Sequence, residues 1–79
     1  MDKRTAIRHR VLKAGTIEFH GGGINCVVRN MSDTGAMLEV ASPVGIPEHF
    51  TLILPMDGHR HTPCQVVWRK ETRIGIAFE

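Results

Sequence analysis

Ile24-Asn25-Cys26-Val27-Val28-Arg29-Asn30-Met31-Ser32-Asp33-Thr34-Gly35-Ala36-Met37-Leu38-Glu39-Val40 is the stretch whose reading decides the fold. Two short apolar runs, Ile24 to Arg29 and Ala36 to Val40, flank a polar turn from Asn30 to Gly35. Short β-branched runs bounded by turn residues read as strands rather than helices. The same punctuation recurs on both sides. Thr16 to His20 reads as a strand closed by Gly21-Gly22-Gly23, a loop in which every position accepts positive φ. Ala41 to Glu48 holds Pro43, Gly45 and Pro47, which predicts a longer connection with no helical pattern. Phe50 to Leu54 forms a fourth strand, and Asp57-Gly58 is a tight-turn signal. A fifth strand runs from about Arg60 to Arg69, with Pro63 marking an edge or bulge in its first half, and Arg73 to Phe78 forms the sixth.

Alternation assigns the faces. Cys64, Val66 and Trp68 are expected on one side of the fifth strand, with Gln65, Val67 and Arg69 on the other. Ile74, Ile76 and Phe78 share a side of the sixth, while Arg73, Gly75 and Ala77 face away. Six antiparallel strands in so short a chain are expected to curl into a barrel, which removes exposed edges. Trp68, Phe19, Phe50 and Phe78 are read as core.

At 79 residues the chain is one small domain, read as a basic arm over 1–12 and a barrel over 13–79. No helix longer than a turn is expected, and no apolar run approaches the ~20 residues that cross a bilayer as a helix. The first residues, Met-Asp-Lys-Arg, lack the apolar stretch of a secretory signal, so the expectation is a cytoplasmic protein. A net charge of +2 is too low for bulk nucleic-acid binding, but Lys3, Arg4, Arg8, Arg10 and Lys13 all precede Gly15, opposed only by Asp2. Cys26 and Cys64 lie in apolar alternation and are expected as small buried hydrophobes. His59, His61 and Cys64 have too few ligands at too loose a spacing for zinc, so no metal is expected. Scattered carboxylates and the lack of any nucleophile–base pairing exclude catalysis as an expectation.

The chemistry concentrates in two motifs. Arg4-Thr5-Ala6-Ile7-Arg8 sets two guanidinium forks four residues apart, and such forks pair with phosphate oxygens or with O6 and N7 of guanine. Asn30 offers a carbonyl and an amide to a guanine edge, Ser32 a hydroxyl, and Gly35 a reversal without a Cβ penalty. Together they suit a compact, anionic, guanine-bearing ligand. The Arg-x-x-x-Arg arm, the Asn-x-Ser-x-x-Gly turn between the second and third strands, and the later Val66-Val67-Trp68-Arg69 and Ile74-Gly75-Ile76-Ala77-Phe78 runs resemble the PilZ domain family over essentially the whole chain.

That resemblance implies a receptor for the bacterial second messenger cyclic di-GMP, needing no cofactor. Arg4 and Arg8 would clamp guanine and phosphate over a floor of Asn30, Ser32 and Gly35, while Gly75 leaves room for the ligand. The spacing selects Arg4 and Arg8. The apolar Val11 after Arg10 instead favours Arg10 as the second motif arginine, a register that places Ala6 at the first position. The spacing reading is adopted, with Arg10 as an additional contact that suits a stacked ligand pair. The arm is expected to be flexible until the ligand orders it, and the C-terminal helix of some members to be absent. The expected partner is a downstream protein of unknown identity, with no membrane and no nucleic-acid polymer, the protein being a monomer or a ligand-induced dimer. Two rival readings are a PilZ-like adaptor that has lost the nucleotide and a small nucleic-acid-binding barrel, the latter disfavoured by aromatics at only 5%.

Overall fold

The computed structural model describes residues 9–55, 58 and 60–79, with only the backbone described for residues 9–11. Six strands follow in order: β1 (His9–Phe19), β2 (Gly22–Met31), β3 (Gly35–Glu39), β4 (His49–Leu54), β5 (Arg60–Lys70) and β6 (Arg73–Phe78). They pair antiparallel throughout and close into a barrel in the order β1-β2-β3-β6-β5-β4, with β4 returning to β1. The described residues contain no helix long and apolar enough to cross a membrane.

The first strand departs most from its expected bounds. β1 begins at His9, inside the segment read as an arm, because the chain is already paired there: His9 lies opposite Met31 and Arg10 opposite Asn30. Its turn into β2 is also tighter than the glycine run suggests. His20 and Gly21 both hold positive φ, 51° and 77°, and Phe19 pairs directly with Gly22. Two consecutive left-handed residues match the right-handed twist of a two-residue hairpin, so Gly22 and Gly23 belong to β2.

Residues 41–48 carry the chain from β3 past β6 and β5 to β4, and this crossover closes one end of the barrel. Ile46 turns inward and is 3% exposed. The segment is tied down where it passes the neighbouring strands: Val66 N–H donates to the Glu48 carbonyl at 2.8 Å, and an Arg69 guanidinium N–H donates to the Pro43 carbonyl at 3.3 Å. Pro63 lies in no bulge, one residue before the β5–β6 ladder begins at Cys64. It sits opposite Thr51 within β5, and its carbonyl accepts the Glu79 N–H at 2.9 Å. Proline forfeits only the donor, so a ring in which its carbonyl is used tolerates it.

The interior is mainly aliphatic, with Phe50 buried among it and Phe19 and Phe78 packed against it. Ile17, Val28, Leu38, Leu52, Cys64 and Ile74 are the largest side chains that are fully buried, and no buried polar side chain accompanies them among the described residues. A narrow barrel has room for little else. Cys26 and Cys64 are free thiols on this inner surface, as their alternation predicts. Burial pushes both up to about 11 from an ordinary 9.0, and Cys64 adds to the rise at Cys26.

A thiol whose pKa is raised on folding favours the native state fully below its unfolded value and loses that contribution as pH climbs to the folded one. Urea titrations should therefore show stability falling between pH 9.0 and about 11. Both thiols should resist a disulfide reagent at neutral pH until the chain unfolds.

Candidate ligand-binding face

The polar turn between β2 and β3 is held by its own residues. Ser32 N–H donates to the Gly35 carbonyl at 2.8 Å, and Thr34 N–H donates to Ser32 Oγ at 3.3 Å. The Ser32 hydroxyl also reaches the Gly35 carbonyl at 3.4 Å. Phe78 N–H then donates to the Thr34 carbonyl at 2.9 Å, which fastens the turn to the last strand. Ser32 is thus a turn-former as well as a surface hydroxyl. Gly35 is required for a reason the sequence did not suggest. It is absent from the positive-φ residues, but a Cβ there would collide with the Ile76 backbone carbonyl of the adjacent strand.

Three irregularities in the ladder aim the remaining residues. Between Arg10 and Lys13 of β1, between Val28 and Asn30 of β2, and between Val66 and Trp68 of β5, the register shifts. Residues two apart on a regular strand share a face, so Asn30 should point inward with Val28 and Trp68 inward with Val66. An extra residue at each bulge, Arg29 and Val67, reverses that parity and turns Asn30 and Trp68 outward.

Trp68 is accordingly not core. It is 43% exposed and Val67 is 64% exposed, while Arg69, read as outward, is paired with the inward-facing Ile74.

The bulges bring five positions into one transverse row on the outside of the barrel. Arg10 pairs with Asn30, Asn30 with Met37, Met37 with Gly75, and Gly75 with Trp68. Of the residues selected from sequence, Arg10, Asn30 and Gly75 therefore lie in a single line across β1, β2, β3, β6 and β5. Ser32 and Gly35 form the turn beside it. Arg4 and Arg8 lie outside the described residues.

Gly75 does not leave an empty space. The Trp68 indole lies across it, so closely that a Cβ at position 75 would overlap Nε1 and Cε2 of the ring. The vacancy read from the glycine is filled by an aromatic plate. That plate walls a cleft of about 230 Å³ bounded on the other side by Thr34 and Gly35.

The PilZ domain family model matches residues 2–79. The chain belongs to the PilZ domain family. No curated protein matches it. PilZ domains are receptor and adaptor modules, generally linked to cyclic di-GMP, rather than catalytic ones.

Trp68 is the residue that reading the sequence missed on this PilZ face. Its signal was the Val66-Val67-Trp68 triplet, in which two consecutive apolar residues break strict alternation, set against a lone Gly75 in the facing strand. Of the His59, His61 and Cys64 set, His59 lies outside the described residues; His61 is exposed, whereas Cys64 points into the core and its Sγ donates to the Thr62 carbonyl at 3.3 Å.

The two glycines should respond differently to alanine. Gly35→Ala sets a methyl against fixed backbone and should cost about 3 kcal/mol, whereas Gly75→Ala meets a side chain that can rotate away and should cost about 1 kcal/mol. Only Gly75→Ala should shift Trp68 emission to longer wavelength. Equilibrium unfolding and fluorescence of the two variants check both halves.

Proposed function

We propose that this PilZ domain binds cyclic di-GMP along the Arg10–Asn30–Met37–Gly75–Trp68 row and reports its occupancy to a separate protein. The observation that carries the reading is that row, which joins a basic position at one end to an exposed indole at the other. Neighbouring strands stand about 4.8 Å apart, so the row runs for about 19 Å over the barrel surface, long enough for purine rings with phosphates between them.

Each group has a task that its chemistry suits. The Asn30 amide meets the donor edge of guanine through its carbonyl, and the Trp68 ring offers a face for a base to stack on. Arginines from the preceding segment supply what the row lacks. Arg4 and Arg8 serve as forks for phosphate and for the guanine acceptor edge, with Arg10 next to Asn30 as a further cation. Ser32 and Gly35 act through shape: the first holds the turn, and the second lets it press against β6. Asn30 presents one acceptor oxygen where a carboxylate would present two, which limits the contact to a modest strength. Ordering an arginine-bearing segment over the row opposes binding, so affinity falls in the region of about 1 μM.

An adaptor that no longer takes the nucleotide is the competing reading, favoured by the engagement of the Ser32 hydroxyl within its own turn. Amide shifts in the Asn30–Gly35 turn on adding cyclic di-GMP separate the two.

Calorimetric titration should show Arg8→Ala weakening cyclic di-GMP binding by about tenfold or more with the unfolding midpoint nearly unchanged. Binding equal to that of the parent removes Arg8 from the clamp. Trp68 emission should be quenched on saturation, and Trp68→Leu should lower affinity by about five- to tenfold, the share expected of one base stacked on an aromatic.

A further inference from the structure

The second cleft against Trp68 lies on the side away from the Asn30–Gly35 turn, is the larger of the two at about 460 Å³, and shares only Met37 and Trp68 with the proposed nucleotide row. Met37 and Trp68 form its apolar wall, and Glu39, Lys70, Glu71, Thr72 and Arg73 its polar one, with Glu39 committed to Arg29. Lys70 and Arg73 face each other directly across the β5–β6 hairpin, a like-charged cross-strand pair with Glu71 in the intervening turn, so that residues 69–73 carry three cations against one carboxylate. Arg73 also has Glu39 as its neighbour in register, but that carboxylate is already engaged: Arg29 donates to it at 3.0 Å and the Thr72 hydroxyl at 3.4 Å. Neither Lys70 nor Arg73 has a hydrogen-bond or ion-pair partner among the described residues.

The charge is local rather than general. Residues 14–79 hold five Lys and Arg against seven Asp and Glu, yet three of those five cations fall within Arg69-Lys70-Glu71-Thr72-Arg73. The hairpin tip is a cationic island on a barrel of opposite sign, and it adjoins the two most solvent-exposed apolar residues of β5, Val67 and Trp68. Tryptophan, arginine and methionine around a cleft, with a charged margin, are the composition of a protein-docking site. A partner of opposite charge would be steered to it.

We infer that the β5–β6 hairpin cleft docks a short acidic segment of a partner protein, with one aliphatic side chain seated against Met37 and Trp68 and carboxylates on Lys70 and Arg73. The site stands whether or not cyclic di-GMP binds. Where it does bind, Trp68 is common to both clefts, so the partner meets a residue that the nucleotide also touches.

The test uses the full chain, a synthetic Gly-Ser-Asp-Glu-Leu-Glu-Asp-Ser-Gly peptide, and a counterpart with lysine at each acidic position. The acidic peptide should shift the amides of residues 67–73 and alter Trp68 emission, with an effect that fades as salt is raised. Lys70→Glu with Arg73→Glu should reduce that binding at least tenfold and leave cyclic di-GMP affinity within about twofold, so that failure of the nucleotide site and failure of the docking site are read separately. Lys70→Gln with Arg73→Gln, which adds no repulsion, repeats the test should the reversed pair not fold. Equal shifts from the lysine peptide, or acidic-peptide binding unchanged in both variants, overturn the inference. So does tighter binding of oligothymidylate than of the acidic peptide, or a dimer in sedimentation that the variants abolish, since these make the occupant a nucleic acid or a second copy of the chain.

Discussion

The narrow bore of a six-stranded barrel governs the rest of this molecule. Its largest fully buried side chains are isoleucine, leucine, valine and cysteine, and its end is plugged by Ile46 from the crossover. An indole does not belong in such a space. The extra residue at Val67 resolves the conflict by reversing the parity of β5 after Val66, so that Trp68 leaves the core and lies on the outer surface of β6. The same device at Arg29 turns Asn30 outward from a strand whose preceding inward residue is Val28. Irregular pairing therefore creates the polar and aromatic face, and regular pairing creates the core.

Close backbone approach is the second constraint, and it explains the glycines. Gly35 lets β3 come against the carbonyl of Ile76, and Gly75 gives the Trp68 ring a flat seat. These two positions, one in the turn motif and one in the last strand, border the same cleft. A receptor face needs a surface that is rigid before the ligand arrives, because binding energy spent on ordering the platform is lost to affinity. Here the turn is fastened by the Ser32–Gly35 and Thr34–Phe78 hydrogen bonds, and the ring lies over its glycine.

Charge is divided along the chain in keeping with a PilZ receptor. Position 10 of the basic segment stands at one end of the outer row, and the hairpin tip at residues 69–73 stands beyond the other, with Trp68 between. An anion bound along the row and an acidic partner at the tip would both contact the indole. That shared contact is a direct physical link between occupancy and output, because a ligand shifts a docking equilibrium only through contacts that differ between its bound and free states.

Punctuation and alternation in the amino-acid sequence determined the number of strands, the long connection at 41–48 and much of the core, because each strand is short and one face must be apolar; the order of the strands around the barrel came from the tertiary structure. The two motifs, with their resemblance to the PilZ family, determined which positions to examine. Tertiary structure alone decided the faces of Asn30, Trp68 and Arg69, since a bulge is a property of two strands and a break in alternation such as Val66-Val67 does not say which face the next residue takes. It also decided why Gly35 and Gly75 are glycines, because the atoms that exclude a Cβ there, the Ile76 carbonyl and the Trp68 ring, come from strands distant in sequence and adjacent only after the barrel closes.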